Sequence, residues 1–352
     1  MKKLLSILLF FCYLLPIAAQ EIVAHERIAE KGYRFWLFTP PSITNTPDTR
    51  RQAKPLIIFL HGASLCGNNL NRVLNYGPLD AIRRGREIDA YIVAPQNPGG
   101  SWIPSKVMDV VEWIERNHNT IDSDRIYVVG MSLGGYGTLD FAAAYPNRVA
   151  AAMGMCGGAT AKDLSGLQKL PLWIIHGTAD RDVSIKNSDA VVANIKKGSD
   201  ERLIYTKLQG GNHGTPARIF YMKKTYEWLF KHKLTDEGRP LNKNYAIDMT
   251  DIKNAYADIH QRDRSTIPII NKLGGQPSTD TAKKKKTGTT AVKTETSAVS
   301  TDTSGATFHT IRQGDNLWTL ARKYGTSVNN LRQLNNMNDN TKLQIGKKLR
   351  IK

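Results

Sequence analysis

The chain has 352 residues, room for one large hydrophobic core and a small second module. Apolar residues make up 41% of it, which excludes a wholly disordered chain. Its 49 Lys and Arg outnumber its 31 Asp and Glu, and the formal charge of +18 suits an anionic setting: nucleic acid, a membrane surface or an acidic wall polymer.

The N-terminus reads Met1-Lys2-Lys3, then an apolar run from Leu4 to Leu15, then Pro16-Ile17-Ala18-Ala19-Gln20. A basic start, a short apolar stretch and small residues before a polar one have the form of a secretory signal peptide over residues 1–19. The run is short for a membrane span, and no later segment is long and apolar enough, so no transmembrane segment is expected after cleavage. Export to the periplasm, the wall or the exterior makes nucleic acid the least suitable partner. It also leaves Cys66 and Cys156 as the cysteines of the mature chain. Two cysteines in an oxidising compartment can form a disulfide. Cysteine is equally at home as a buried apolar side chain, and the sequence leaves both readings open.

Ile22–Ala29 and Tyr33–Phe38 read as an antiparallel strand pair. Short apolar runs follow at Leu56–Leu60, Ala90–Ala94, Arg125–Gly130, Val149–Met155, Leu172–His176 and Arg202–Lys207. Helix-length stretches such as Ser105–Asn117 and Gly134–Tyr145 lie between them. Strands alternating with helices predict an α/β fold, a mostly parallel sheet covered on both faces. Thr215–His232 reads as a closing helix, and the core is expected to span residues 20–233. Residues 234–273 carry no motif; Asp251–His260 suits a short helix, and the segment reads as a small extension packed on the catalytic domain. Residues 274–306 are rich in Thr, Ser and Lys with almost no large apolar side chain, so they read as a disordered linker.

Ile126–Val129 is a buried-strand pattern running directly into Gly130-Met131-Ser132-Leu133-Gly134, with an apolar helix after it. This is G-x-S-x-G in the strand–turn–helix setting of a nucleophile elbow, whose glycines admit a chain passing too close for a Cβ. A serine hydroxyl needs a base, and in that topology an acid and then a histidine follow it in the chain. Asp180 stands just beyond the strand Leu172–Ile175, with Asp182 as its rival. Asp182 suits capping of a helix beginning near Ser184. His213 lies in Gly210-Gly211-Asn212-His213-Gly214, between the last strand and the last helix. The expected triad is Ser132, Asp180 and His213. The oxyanion hole is expected from the backbone N–H groups of Leu133 and Ala63, with Ser64 as the alternative to Ala63. His61 reads as a shaper of that loop and His176 as packed behind the acid. Trp102 either lines the cleft or packs under a loop. No metal-ligand spacing links the histidines, so no metal or other cofactor is expected.

Residues 30–232 resemble an α/β-hydrolase. Within that fold they are similar to secreted feruloyl and acetyl-xylan esterases and to prolyl-oligopeptidase-like proteins. The resemblance rests on Leu60-His61-Gly62-Ala63, Cys66-Gly67-Asn68, Ile121–Tyr127, Gly130–Gly137, Cys156-Gly157-Gly158 and His176-Gly177-Thr178-Ala179-Asp180. Ser64-Leu65 departs from the pattern of those relatives. Residues 307–352 resemble a LysM module through His309-Thr310-Ile311, Gly314–Leu317, Leu320-Ala321, Tyr324-Gly325, Leu331, Leu334-Asn335 and Ile345–Leu349. That resemblance implies a βααβ fold binding peptidoglycan or another N-acetylglucosamine-containing glycan. It places the contacts at Gly314, Asp315, Asn316, Leu317, Asn335, Met337 and Asn338. Asp315 is also expected to cap the first helix. The two resemblances imply an exported serine hydrolase tethered to wall glycan, acting on carboxylic esters through an acyl-serine. Peptide-bond hydrolysis and a non-catalytic wall-binding protein are the alternatives.

Overall fold

Aliphatic runs too short for helices become strands buried on both faces. In Leu56–Leu60 the side chains of Ile57 and Phe59 join one core cluster, while Leu56, Ile58 and Leu60 join another, and all five are fully buried. The computed structural model describes residues 20–25, 32–41, 53–259, 267–270, 299–301, 306–312, 315, 317, 320, 324, 326, 328–337 and 343–352. The expected signal peptide, and residues 274–298 and 302–305 of the expected linker, lie outside them.

Nine strands form one sheet. In chain order they are β1 (Glu21–His25), β2 (Phe35–Thr39), β3 (Lys54–Leu60), β4 (Tyr91–Pro95), β5 (Ile121–Met131), β6 (Ala151–Met155), β7 (Leu172–Gly177), β8 (Leu203–Leu208) and β9 (Ile269–Ile270). Their spatial order is β8-β7-β6-β5-β3-β4-β2-β1-β9. Strands β3 to β8 run parallel, and β2 is antiparallel to both β1 and β4. One face carries α2 (Pro104–Asn117), α3 (Leu133–Ala144) and α4 (Lys186–Ile195). The other carries α1 (Pro78–Arg83) and α5 (Lys223–Leu229). The amphipathic reading of 105–117 becomes α2, which buries Val107, Met108, Val110, Val111 and Ile114 and starts on Pro104, a residue suited to the first helical turn.

The expected single closing helix is two elements. Thr215–Tyr221 is a 3-10 helix, Met222 is extended (φ −88°, ψ 133°), and α5 follows. Side chains take the carbonyls that a continuous helix would have used. Thr225 Oγ1 donates to Ile219 O (2.6 Å), Tyr226 OH to Phe220 O (2.5 Å) and Arg86 Nε to Tyr221 O (2.9 Å).

The segment after residue 233 packs on the core. The backbone N–H of Leu234 donates to Asp124 O (2.9 Å). The Arg239 guanidinium then donates to Pro146 O, Lys169 O, Val149 O and Ala150 O beneath the sheet. Asp248 closes a capping box on α6 (Met249–Lys253), and Ile247, Ile252, Ala255 and Ile267 are buried on the α1–α5 face. Asp258 forms a two-pronged ion pair with the buried Arg86 guanidinium, and β9 adds to the free edge of β1. The segment is a strap across one face.

The same two faces separate the cysteines. Cys66 belongs to the α2–α3 face and Cys156 to the α1–α5 face; both are buried and unbridged, which corrects the disulfide reading.

In the C-terminal module β10 (Val299–Thr301), β11 (Thr307–Thr310) and β12 (Lys348–Arg350) form an antiparallel sheet with α7 (Val328–Leu334). Ile311, Leu320, Leu331, Leu349 and Ile351 are its buried core. β10 falls within residues 274–306, the expected linker. β-Branched Val299 and Thr301 pair with His309 and Thr307 and cover an edge of β11 that would otherwise be open. No helix among the described residues is long and apolar enough to cross a membrane.

Candidate active site

The sheet order turns between β3 and β5, so successive connections leave this point in opposite directions and open a crevice at the strands' C-terminal ends. Ser132 leaves β5 there with φ 60° and ψ −123°, a conformation disfavoured for a residue with a Cβ. Two glycines make the turn possible. A Cβ on Gly134 would run into the Leu60 carbonyl of β3, and one on Gly130 into the Gly134 carbonyl. Ser132 N–H donates to Met155 O (2.9 Å), which ties the turn to the end of β6.

His213 Nδ1 lies 2.7 Å from Asp180 Oδ2, and its Nε2 lies 2.9 Å from Ser132 Oγ. An ionised carboxylate only accepts, so Nδ1 carries the proton and Nε2 accepts from the serine hydroxyl. The Asp180 side chain is fully buried, while that of His213 is 18% exposed. Asp180 Oδ1 accepts from the N–H groups of Asp182 (2.8 Å) and Val183 (2.9 Å). Burial pushes the Asp180 pKa up, but the His213 ring and these two N–H groups outweigh it and hold the carboxyl below its usual range. The loops bearing acid and histidine are stitched together: Thr178 N–H donates to Leu208 O and Ala179 N–H to Gly211 O, both at 2.9 Å. Asn212 Oδ1 accepts from Gly214 N, Thr215 N and Thr215 Oγ1, which folds the turn around His213.

Across the crevice, a Cβ on Gly62 would sit 3.3 Å from Ser132 Cβ, so the loop after β3 runs beside the serine. Ala63 opens a short 3-10 helix and Leu133 opens α3; backbone N–H groups at these first positions have no partner within their own helices. Gly62 N–H is already used, donating to Tyr76 OH (2.7 Å). His61 is fully buried. Its Nε2 accepts from Asn97 N–H (3.0 Å) and its Nδ1 lies 2.8 Å from Gly62 O, which fixes the ring as Nδ1–H. Burial pushes its pKa down to about 4. Trp102 donates to His61 O (3.1 Å) and lies under α3 at Gly137, so it packs beneath the loop and does not line the cleft. In the β6–β7 connection, Thr160 N, Thr160 Oγ1 and Ala161 N donate to Asp140 of α3, while Leu164 and Leu167 are buried. That segment is held down on α3.

Asp182 does not cap α4. Ile185 precedes that helix without a side-chain cap, and Ser184 Oγ accepts from Lys186 N–H (3.4 Å). Among the described residues, Cys156, His176 and Asp180 bring potential metal-ligand atoms within 4.8 Å of one another. Sequence spacing missed this grouping because Cys156 follows β6 while His176 and Asp180 lie at the end of β7. Both nitrogens of His176 have protein partners, and burial pushes the Cys156 thiol up, away from the thiolate a soft cation takes. Tyr76, Ser188 and Asn212 also escaped the sequence reading, since contacts between distant segments leave no local pattern.

In the C-terminal module Gly314, Asn316 and Asn338 lie outside the described residues. The Asp315 carboxylate accepts from Arg312 N–H (2.8 Å) and faces His309 Nε2 (2.6 Å), whose other nitrogen meets Tyr324 OH (2.8 Å). It closes the turn after β11. Asn335 donates to Leu331 O and Arg350 O and accepts from Arg350 N, each at 2.7 Å. Its amide joins α7 to β12. Leu317 and Met337 pack partly on the module's core.

Residues 55–187, which include β3, β5, Ser132 and Asp180, match the family model of the alpha/beta hydrolase fold. The larger domain has the α/β-hydrolase fold. Residues 309–352 match the LysM domain model, so the chain joins an α/β-hydrolase domain to a LysM domain. A curated relative, the probable endopeptidase p60 of Listeria monocytogenes serovar 1/2a (strain ATCC BAA-679 / EGD-e), is 26% identical over 186 residues. The match spans 51% of this chain and 37% of the relative, little more than a third of its length. Among solved structures, a thermostable esterase is 24% identical with a TM-score of 0.49 over 60% of this chain and 63% of its own. A feruloyl esterase module from Clostridium thermocellum complexed with sinapinate is 15% identical, with a TM-score of 0.43 over 55% and 82%. A Pyrococcus horikoshii acylaminoacyl peptidase is 14% identical, with a TM-score of 0.46 over 68% and 44%. Likenesses this distant do not choose a substrate for the α/β-hydrolase domain.

Proposed function

We propose that the protein is an exported serine hydrolase, a carboxylesterase acting through an acyl-serine and held at peptidoglycan or related glycan by its LysM domain. The observation that carries the reading is the hydrogen-bonded line from Ser132 Oγ through His213 to the buried Asp180 carboxylate. Ser132 Oγ attacks the carbonyl carbon of the ester while His213 Nε2 takes its proton. Asp180 holds the ring in the Nδ1–H tautomer and stabilises the imidazolium that forms. The N–H groups of Leu133 and Ala63 hold the oxyanion, and the α3 N-terminus adds its positive end. His213 returns the proton to the leaving alcohol, and water repeats the sequence on the acyl-serine. The short β6–β7 connection, held down on α3, leaves room for a bulky or polymeric ester. Tethering raises the local concentration of enzyme at the wall.

p-Nitrophenyl acetate hydrolysis by the mature chain beside Ser132→Ala tests the chemistry. Turnover in the first, with the variant at the uncatalysed rate, is expected. Equal rates, together with no fluorophosphonate labelling of Ser132, would reject a serine mechanism. The likeness to p60, a probable endopeptidase, favours peptide bonds as a second reading. Cleavage of peptides by a chain inert to esters would select it.

A further inference from the structure

His176, at the end of β7, lies behind the acid, and the reaction as written above does not use it. It is fully buried. Its Nδ1 is 2.7 Å from Ser188 Oγ on α4, and its Nε2 is 2.9 Å from Val183 O and 3.3 Å from Asp180 Oδ2. Ser188 Oγ donates to Gly157 O (2.7 Å), so this hydrogen-bonded line reaches the loops after β6 and β7. Proton accounting assigns the ring. Val183 O only accepts, so Nε2 carries a proton. Nδ1 meets the oxygen of Ser188, whose hydroxyl is itself held on Gly157 O. The Nε2–H therefore faces two acceptors at once: the carbonyl of Val183 and the oxygen of Asp180 that also receives His213 Nδ1–H.

We infer that His176 is a positioning residue for the triad. Its Nε2–H, held in direction by Ser188, fixes Val183 and Asp180 Oδ2 so that the carboxylate stays aimed at His213. Val183 is tied to the same carboxylate a second time, through its own N–H on Oδ1, so a ring that turns releases both sides of the acid. The inference rests on the triad reading of Ser132, His213 and Asp180. It adds a group that touches neither substrate nor Ser132, and its effect falls on the rate of the chemical step and not on ester binding.

Two substitutions separate this role from packing. His176→Gln puts an amide N–H near the place of Nε2 and gives up the Ser188 contact. His176→Asn keeps a polar atom near Nδ1 and loses the donor to Val183 and Asp180. With the full chain and p-nitrophenyl acetate, His176→Gln is expected within about 5-fold of the unmodified kcat, and His176→Asn about 10–100-fold below it. KM should stay within about 2-fold in both. Equal kcat in the two variants, or a loss carried by KM, would overturn the inference. Should His176→Asn not fold, Ser188→Ala serves in its place. It keeps the Nε2–H but frees the ring, and a kcat equal to that of the unmodified chain would overturn the inference. Fluorophosphonate labelling of the unmodified chain distinguishes the two levels. A chain that neither labels nor turns over ester loses the triad reading and this inference with it; a reactive chain with equal Gln and Asn variants loses this inference alone.

Discussion

Asp180 accepts three hydrogen bonds on two oxygens, with His176 Nε2 3.3 Å away, and its side chain has no exposed surface. A buried carboxylate keeps its charge only when donors replace the water it has lost. Asp180→Asn retains the shape but supplies an amide where an acceptor is needed, which favours the wrong tautomer of His213. Its kcat on p-nitrophenyl acetate is expected to fall on the order of 10³–10⁴-fold with little change in folding. Tyr76 works at the same scale on the other side of Ser132. Its hydroxyl accepts Gly62 N–H at 2.7 Å, and burial pushes its pKa up to about 12, so it stays protonated. Tyr76→Phe leaves that N–H without its partner. A loss of about 1–3 kcal/mol in denaturant unfolding is expected, with a fall in kcat larger than any change in KM.

At the scale of elements, the site depends on β3, β5 and α3 approaching closely enough that glycine alone fits. Gly134 faces the Leu60 carbonyl across the start of α3, and a methyl group there forces helix and strand apart. Gly134→Ala is expected to destabilise the domain by about 3 kcal/mol or more, read as a lower urea midpoint at unchanged slope. Helix propensity alone would predict the opposite sign, since alanine is the better helix former. Tertiary contact overrides it here. The Asp140 contacts to Thr160 and Ala161 similarly decide that the β6–β7 connection lies flat on α3.

At the scale of the whole molecule, residues 234–259 strap the α1–α5 face and β9 adds to the far edge of the sheet. The strap's anchor is Arg86, nearly buried itself, donating to Tyr221 O and to Asp258. Arg86→Ala is expected to cost about 2–4 kcal/mol, since it leaves a buried carbonyl and a carboxylate without their donor. Asp258 is half exposed, and the Arg86 bond holds its carboxyl below the usual range. A depressed folded value means stabilisation is present above the unfolded carboxylate value, about 4, and lost as pH falls through the folded one. The Tm gap between the unmodified chain and Asp258→Asn should therefore close in acid. The LysM domain is a separate matter. Removing residues 299–352 is expected to abolish co-sedimentation with purified peptidoglycan while leaving kcat/KM on a soluble ester unchanged. Equal pelleting of both forms would reject the tether.

Much of this was legible in one dimension because the signals are local. Strand β5 running into Gly130–Gly134, aliphatic runs alternating with helix-length stretches, and the spaced leucines of the LysM domain each reflect chain geometry over a few residues. They predicted the sheet and placed Ser132, Asp180 and His213 at strand ends, where the fold brings them within hydrogen-bond reach. What the sequence left open depends on segments far apart in the chain. It did not say which sheet face each cysteine occupies, that Asn335 spends its amide on β12, that 215–232 breaks at Met222, or that Arg86 pairs with Asp258. Nor did it show Tyr76 under Gly62 or His176 behind Asp180. Periodicity records which side of an element is apolar, whereas the partner each polar group finds is settled only when burial removes water as the alternative.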